Sequence, residues 1–528
     1  MASSQPLPAA TQQESSYRVS FLDTAFIIGF LSALKFVLHL LVNGRYGYFR
    51  DELYYIACSH HLSWGYVDQP PMIAVTVRLS HILLGDSLLA LRLFASLAMI
   101  AVTALALLAV RELGGGKFAM WLTGLCLFVG PIWLNFGYLM TMNSYEHVIW
   151  TACGLLVIRY LNTRNPRLWL WFGVLCGVGL ETKYSITVYG FAVVLGLLLT
   201  RERRIFLNRW IWLGGLAALI VFLPNLVWNI RYHWPFVELM RNIRAEGRDV
   251  VLSPGQFLFQ QAILSLPISA FVWIAGVLWL MFSRSGSRYR VVGWTFVIVI
   301  GTFMVLHGKN YYSMPIYPIM FAAGAVALES WIWKPGWRWI GWAYGASVLA
   351  MGIIFMPISI PILPVDSYLK YQEKLPIQPP RSEYSHEHAA LPQIYADQFG
   401  WTEIVQATAQ AWNQIPAAER SDCAIFAQDY GSAAAIDFWG PKYGLPHVIS
   451  GHQSYFLWGP RHYSGNCMIV LDDRPERLHQ LFEDVQYVTT SAPNRYALES
   501  ELPVYICRTP KSNFRTLQEA WAMLKKWR

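Results

Sequence analysis

The sequence predicts a polytopic α-helical membrane protein, with about eleven transmembrane helices and a soluble α/β domain at its C-terminus. Three observations carry this prediction. Hydrophobic residues fill 55% of the 528 positions and charged residues only 14%, against roughly 25% charged in a soluble globular chain. Apolar runs of about 20 residues, the length that crosses a bilayer's hydrocarbon, recur along the first two thirds of the chain and then cease. Residues 1–363 carry 26 Lys+Arg against 14 Asp+Glu, whereas residues 364–528 carry 15 against 18. A basic apolar part followed by an acidic one is not the signature of a nucleic-acid binder. The excess positive charge sits in short loops between apolar runs, where it sets topology. The 24 Trp and 28 Tyr agree, because amphipathic rings gather at bilayer interfaces.

Residues 1–20 are polar and read as a cytoplasmic tail without a cleavable signal, so the first helix serves as the targeting signal. The transmembrane unit covers 21–363. Its candidate spans are 21–43, 86–110, 118–139, 145–162, 168–183, 184–200, 210–231, 260–282, 291–307, 310–332 and 338–362. The pair 168–183 and 184–200 is short and meets at Glu181-Thr182-Lys183, so a broken or re-entrant pair fits as well as two full spans. Loops Arg111–Lys117, Arg159–Arg167, Arg201–Arg209, Arg284–Arg290 and Lys334–Arg338 are basic and fall on alternate sides. The positive-inside rule makes them cytoplasmic. Segments 44–85 and 232–259 and the C-terminal domain then lie outside, which for a bacterial inner membrane is the periplasm.

Five prolines, Pro364, Pro376, Pro379, Pro380 and Pro392, mark 364–395 as an extended linker. In 396–528 the pattern is that of a small periplasmic α/β domain. Ala424–Ala427, His447–Ser450, Met468–Leu471, Val485–Thr489 and Val504–Cys507 read as strands. Thr402–Trp412, Pro475–Phe482 and Phe514–Trp527 read as helices. Among seven cysteines, Cys126, Cys153 and Cys176 lie in apolar runs, and Cys423, Cys467 and Cys507 leave one disulfide open without fixing its partners. Glycines 431, 440, 444, 451 and 459 mark turns. No internal repeat, phosphate loop or nucleophile elbow is visible.

The stretch richest in chemistry is the first outer loop. Tyr48-Phe49-Arg50-Asp51-Glu52-Leu53-Tyr54-Tyr55 is followed by Trp64-Gly65-Tyr66-Val67-Asp68-Gln69-Pro70-Pro71, which places three carboxylates within 18 residues among aromatics. Adjacent acids in so apolar a setting repel one another and lose hydration, which lifts a pKa toward the range useful for proton transfer. On spacing alone, a solvated acidic loop fits equally.

These residues carry a resemblance. Asp-Glu after the first helix, the downstream Gly-Tyr-x-Asp-x-Pro-Pro and the later Thr-Lys-Tyr at 182–184 resemble GT-C glycosyltransferases. The branch is that of the protein O-mannosyltransferases and the aminoarabinose transferases of lipid A. The likeness extends through Met142–Glu146, Pro224-Asn225, Trp228-Asn229 and Lys309–Pro318. The C-terminal part resembles that of bacterial relatives without an assigned substrate.

The resemblance implies transfer of one sugar from a polyprenyl-phosphate donor to a hydroxyl of a protein, lipid or polysaccharide, at the outer face, with inversion at the anomeric carbon. Asp51 matches the family's catalytic carboxylate, a general base toward the acceptor hydroxyl. Glu52 is placed beside it as a second catalytic acid. Glu52 and Asp68 would orient acceptor or sugar, or bind a metal if one is used. No metal site or cofactor is read from the sequence, and the mannosyltransferase branch is generally regarded as metal-independent. The substrate-binding set is Tyr54, Tyr55, Tyr66, Asp68, Gln69, Glu146, Lys183, Lys309, Tyr311, Tyr312 and Tyr317. Partners are the lipid-linked donor, the hydroxyl acceptor and membrane lipids, with no nucleic acid.

Two positions depart from the aminoarabinose branch, which has Lys where Gln69 stands and Arg where Tyr54 stands. Both losses remove positive charge from the phosphate site, which disfavours aminoarabinose as the sugar. Lys183 and Lys309, at outer ends of spans, are the compensating candidates; snorkelling or topogenic lysines are the plain alternative. Lys35 and His39, four apart on one helix face, fit either a wall of the donor site or pairing between helices. Glu146 fits a cavity wall or a helix cap, and Glu181 fits charge compensation of Lys183. Loop 232–259 holds His233, Arg241, Arg244, Glu246, Arg248 and Asp249, which fit phosphate contact or a solvated amphipathic helix. A lipid or glycan transporter, or flippase, is the competing class. It often shows repeats and paired broken helices, and it lacks a reason for a long acidic outer loop.

Overall fold

The computed structural model describes residues 19–247, 251–332, 336–375, 390–511 and 516–528. Most of the N-terminal tail, Arg248 and Asp249, Lys334, and the centre of the expected linker lie outside the described residues. Among the described residues, six helices are long and apolar enough to cross a bilayer: Phe21–Val42, Leu88–Glu112, Arg209–Arg231, Ser287–Val305, Asn310–Ile332 and Arg338–Ser359. Each runs about 30 Å or more at 1.5 Å per residue. A further 22-residue helix, Met142–Thr163, starts with the polar cluster Asn143, Ser144, Glu146 and His147.

Two expected straight spans are bent. Lys117–Val129 and Pro131–Tyr138 meet at 59°, and Pro254–Leu264 and Pro267–Phe282 at 105°. The cause is local. Pro131 and Pro267 lack the amide that would continue each helix, and the ring clashes with the preceding turn. If each pair counts as one span the total is eight. The segment 168–200 forms two apolar helices of 13 residues, Leu168–Leu180 and Ile186–Leu198, with Glu181–Ser185 between them.

The first outer segment is structured throughout. Helix Arg50–His60 begins with Asp51 and Glu52 in its first turn, where carboxylates suit the helix dipole. Glu52 also turns back to accept the Phe49 amide at 2.9 Å. Helix Met72–Leu84 then returns the chain to Leu88–Glu112.

The C-terminal part holds a four-stranded sheet of order β1-β2-β4-β3, with β1 Cys423–Ala427, β2 Cys467–Leu471, β3 Phe482–Thr490 and β4 Pro503–Pro510. β1 and β2 are parallel; β4 is antiparallel to both β2 and β3. Cys423 and Cys467, directly paired across β1 and β2, form a disulfide. The expected strand His447–Ser450 reduces to one bridge from Ile449 to Phe426. The expected helix near 514–527 shortens to Leu517–Ala520 and one 3₁₀ turn, after which Lys526 pairs with His452. Two helices escaped the sequence reading, Tyr430–Trp439 and Gln453–Trp458. Where described, the 364–395 stretch is not extended. Helices Val365–Gln372 and Gln393–Ala396 flank it, because Tyr368, Leu391 and Tyr395 bury one another around Tyr46.

The membrane and tail portions share a core. Leu53, Tyr54, Tyr55 and Ile73 pack in one apolar cluster with Trp401, Ile404, Ile436 and Tyr455. At this seam Tyr138 donates to Gln398 at 2.7 Å, and Glu238 and Asn242 of helix Pro235–Ala245 bind Lys525 (2.6 Å) and the Trp527 carbonyl (2.7 Å). Arg241 and Arg244 of that helix are exposed, and its other side docks on the tail.

Candidate active site

The bends and the outer segment enclose a cavity of about 290 Å³. Its polar lining is Asp51, Asn135, Thr141, Asn143, Lys309, Asn310, Ser359 and Gln393, interspersed with apolar residues that include Ile132, Phe136, Ile263, Leu264, Phe355 and Ile358. An apolar lining that carries several polar groups is a composition that suits an amphiphile. Three of the polar residues come from three distinct elements. Asp51 comes from the first turn of Arg50–His60, Asn143 from the start of Met142–Thr163, and Lys309 from just before the 3₁₀ turn Asn310–Ile316.

Behind Asn143 stands Lys183. Its ammonium donates to Asn143 Oδ1 at 2.6 Å and to Glu146 at 3.1 Å, and lies 4.1 Å from the Tyr312 ring centre and 5.4 Å from that of Tyr311. Ser185 also donates to Glu146. Lys183 therefore pairs with Glu146 and not with Glu181, as local charge compensation had suggested. Glu181 is buried against the apolar surface of Met72 and Val75 instead. Sequence order misleads here because helix Met142–Thr163 runs alongside Leu168–Leu180 and brings residue 146 to the lysine.

The acids of the outer segment separate sharply. Asp51 is half-buried at the cavity and accepts from the Tyr430 hydroxyl at 2.8 Å. Glu52 is fully buried. One oxygen takes Arg92 Nε (2.8 Å) and the Met140 amide (2.9 Å), and the other takes Arg92 Nη2 (2.8 Å) and the Phe49 amide. With both oxygens engaged, Glu52 anchors the loop, whereas Asp51, the other expected catalytic acid, lines the cavity. Asp68 accepts from the Tyr54 hydroxyl at 3.0 Å. Burial pushes its carboxyl up to about 7, with the Tyr54 bond opposing and the Asp51 charge adding.

The aromatic set divides too. Tyr311 lines the cavity, and Tyr312 flanks Lys183. Tyr55 is buried beside Asp51, whose charge helps push its phenol up after burial. Tyr54 is locked between Asp68 and the Ser454 amide (3.2 Å), and Tyr66 bonds the Cys58 carbonyl at 3.0 Å within its own loop. Gln69 is buried, its amide 3.7 Å from Cys58 Sγ. Tyr317 sits in the helical core between Trp273 and Phe296, away from the cavity. Lys35 donates to the Leu127 carbonyl at 2.9 Å inside the bundle, an interhelical pairing, while His39 packs against Gly137 with neither ring nitrogen hydrogen-bonded among the described residues.

Three contributors went unread: Arg92, Asn143 and Tyr430. Arg92 is a full charge inside a predicted span, and that signal was available. Tyr430 had none, being 379 residues from its partner.

A family model described as dolichyl-phosphate-mannose-protein mannosyltransferase matches residues 68–228. The chain is 24% identical over 381 residues to the lipid A galacturonosyltransferase RgtD of Rhizobium johnstonii, covering 69% of this chain and 77% of that protein. Its fold matches ArnT from Cupriavidus metallidurans bound to undecaprenyl phosphate, at TM-score 0.62 and 12% identity over 91% of this chain and 98% of that one. The apo form of ArnT matches at TM-score 0.58 and 15% identity, over 91% and 97%.

Proposed function

We propose that this chain, a GT-C-type glycosyltransferase, moves one sugar from a polyprenyl-phosphate donor to a hydroxyl acceptor, inverting the anomeric carbon, at the periplasmic face of a bacterial inner membrane. The observation that carries the reading is one cavity lined by a carboxylate, Asp51, an ammonium, Lys309, and many apolar side chains. Polyprenyl phosphate has the matching parts: an isoprenoid chain for the apolar side chains and an anionic head for the lysine.

In the reaction, the acceptor hydroxyl approaches Asp51, which takes its proton as the oxygen attacks the anomeric carbon. The bond from that carbon to the phosphate oxygen breaks, and the electron pair leaves with polyprenyl phosphate. This leaving group needs no proton but gains negative charge, which Lys309 and the amides of Asn143 and Asn310 are placed to stabilise. Lys183, held by Glu146, adds its field behind Asn143 and fixes that side chain. Lys183 and Lys309 supply the positive charge that Tyr54 and Gln69 do not. Tyr54, Tyr66 and Gln69 serve the shape of the loop, with Tyr55 and Tyr311 as the aromatic wall toward the sugar.

The acceptor is a protein, lipid or polysaccharide hydroxyl. Because RgtD is named for lipid A, glycolipids are the first class to search, followed by proteins, the acceptor in the name of the family model. The test uses membranes of a deletion strain, which hold unspent donor and unmodified acceptor together. Purified wild-type protein added to them restores the product missing by mass spectrometry. Asp51→Asn lowers the rate by about 100-fold or more with an unchanged unfolding midpoint. An Asp51→Asn protein that restores product at the wild-type rate overturns the proposal.

A further inference from the structure

The tail reaches the reacting carboxylate. Tyr430 opens the helix Tyr430–Trp439, and Asp429 fixes where that helix starts by accepting the amides of Gly431 (2.6 Å) and Ser432 (3.1 Å). The Tyr430 amide donates to His452 Nδ1 at 3.2 Å, and its ring packs 4.9 Å from that of Tyr54 and 5.1 Å from that of His452. The phenol is therefore held from several sides when it meets Asp51.

The approach is close. A Cβ on Gly431 would stand 2.8 Å from Arg50 Cγ and 2.9 Å from the Trp401 ring, so a residue without a side chain is required there. Arg50 is itself bound by the tail, donating to Glu499 at 2.5 Å and pairing with Asp397 at 3.2 Å. The Arg50 amide donates to the Asp397 carbonyl at 3.1 Å. Consecutive residues 50 and 51 are thus both gripped by the part of the chain that follows the membrane helices.

We infer that Tyr430 is a positioning residue for Asp51, holding one of its carboxylate oxygens through the 2.8 Å phenol bond, and that the tail thereby completes the active site. This rests on the function proposed above. The last torsion of a carboxyl group is soft, and a phenol bond to one oxygen narrows its range. The acceptor's proton goes to the carboxylate of Asp51, and Tyr430 keeps its own. The bond also favours the ionised carboxylate, so its loss makes Asp51 easier to protonate. Other titratable groups near Asp51 include Tyr55 and Asp68 on its own segment, and Lys309 and Tyr311 line the same cavity.

The experiment compares wild type, Tyr430→Phe, Gly431→Val and Asp51→Asn as purified full-length proteins on deletion-strain membranes, from about pH 5 to pH 8. Tyr430→Phe, with an unchanged unfolding midpoint, loses about tenfold in rate, and its acidic limb moves to higher pH. Gly431→Val keeps the phenol but displaces the helix start, and gives the same shift. If Tyr430→Phe follows the wild-type profile at every pH, or is faster, the inference fails while an inactive Asp51→Asn leaves the transferase reading standing. If Asp51→Asn is active, the function itself fails.

Discussion

Arg92 and Glu52 meet through two bonds of 2.8 Å, with neither side chain exposed to solvent. The same guanidinium donates to the carbonyls of Asn43 (3.1 Å) and Gly47 (2.8 Å), so one ion pair fastens the exit of the first helix, the start of Arg50–His60 and the turn at Met140. Such a pair serves architecture: it fastens the segment that carries the neighbouring Asp51.

Removing one member of this pair strands a buried charge. Arg92→Leu is expected to cost about 3–5 kcal/mol, read as loss of folded protein in detergent. Glu52→Gln should lower the folded yield too, yet keep the specific activity of its folded fraction within about tenfold of wild type, unlike a general base. A folded but inactive Glu52→Gln would restore Glu52 to the chemistry.

Lys309 gives the opposite pattern. Lys309→Met should leave the unfolding midpoint unchanged and lower the rate on deletion-strain membranes by about 100- to 1,000-fold, the scale of removing one stabiliser of developing charge. A change in stability without a change in rate would remove the lysine from the phosphate site.

Asp68 predicts a pH dependence of stability. Its carboxyl is raised from 3.8 to about 7 in the folded chain. Between those values the folded state binds the proton that the unfolded state releases. The contribution of this group is therefore full below about pH 4 and is lost as pH rises through about 7. Asp68→Asn keeps an acceptor for Tyr54 and cannot titrate. Its unfolding midpoint should gain on that of the wild type as pH rises across this window; parallel curves would contradict the assignment.

The disulfide tests sidedness. Disulfides persist in oxidising compartments, so a periplasmic tail should show Cys423 and Cys467 closed to alkylation until reductant is added. Replacing both with Ser should destabilise the tail by about 2–4 kcal/mol. Free thiols in freshly prepared membranes would argue for the opposite face.

Much of this molecule is legible in its residues because bilayer thickness imposes a length that soluble folds do not. Phe21–Val42 and Arg338–Ser359 match the expected 21–43 and 338–362 almost to the residue. The bends at Pro131 and Pro267 follow from visible prolines, but their angles depend on what packs around them. Asp51 and Glu52 show the limit. Neighbours in sequence with the same chemistry, they are turned apart by about 100° on a helix, one to the cavity and one to Arg92. The pairing of Lys183 with Glu146, 37 positions away, and of Tyr430 with Asp51 depends on helices and domains meeting in space. No local pattern reports either contact.

The order of the chain gives the seam at Tyr430 a consequence for biosynthesis. Ribosomes deliver the described membrane helices, which end at Ser359, before the phenol bonded to Asp51. A nascent molecule would thus enter the lipid with residue 51 lacking that bond. On the function proposed above, competence for sugar transfer would arrive when the later-translated domain folds back onto the first outer turn.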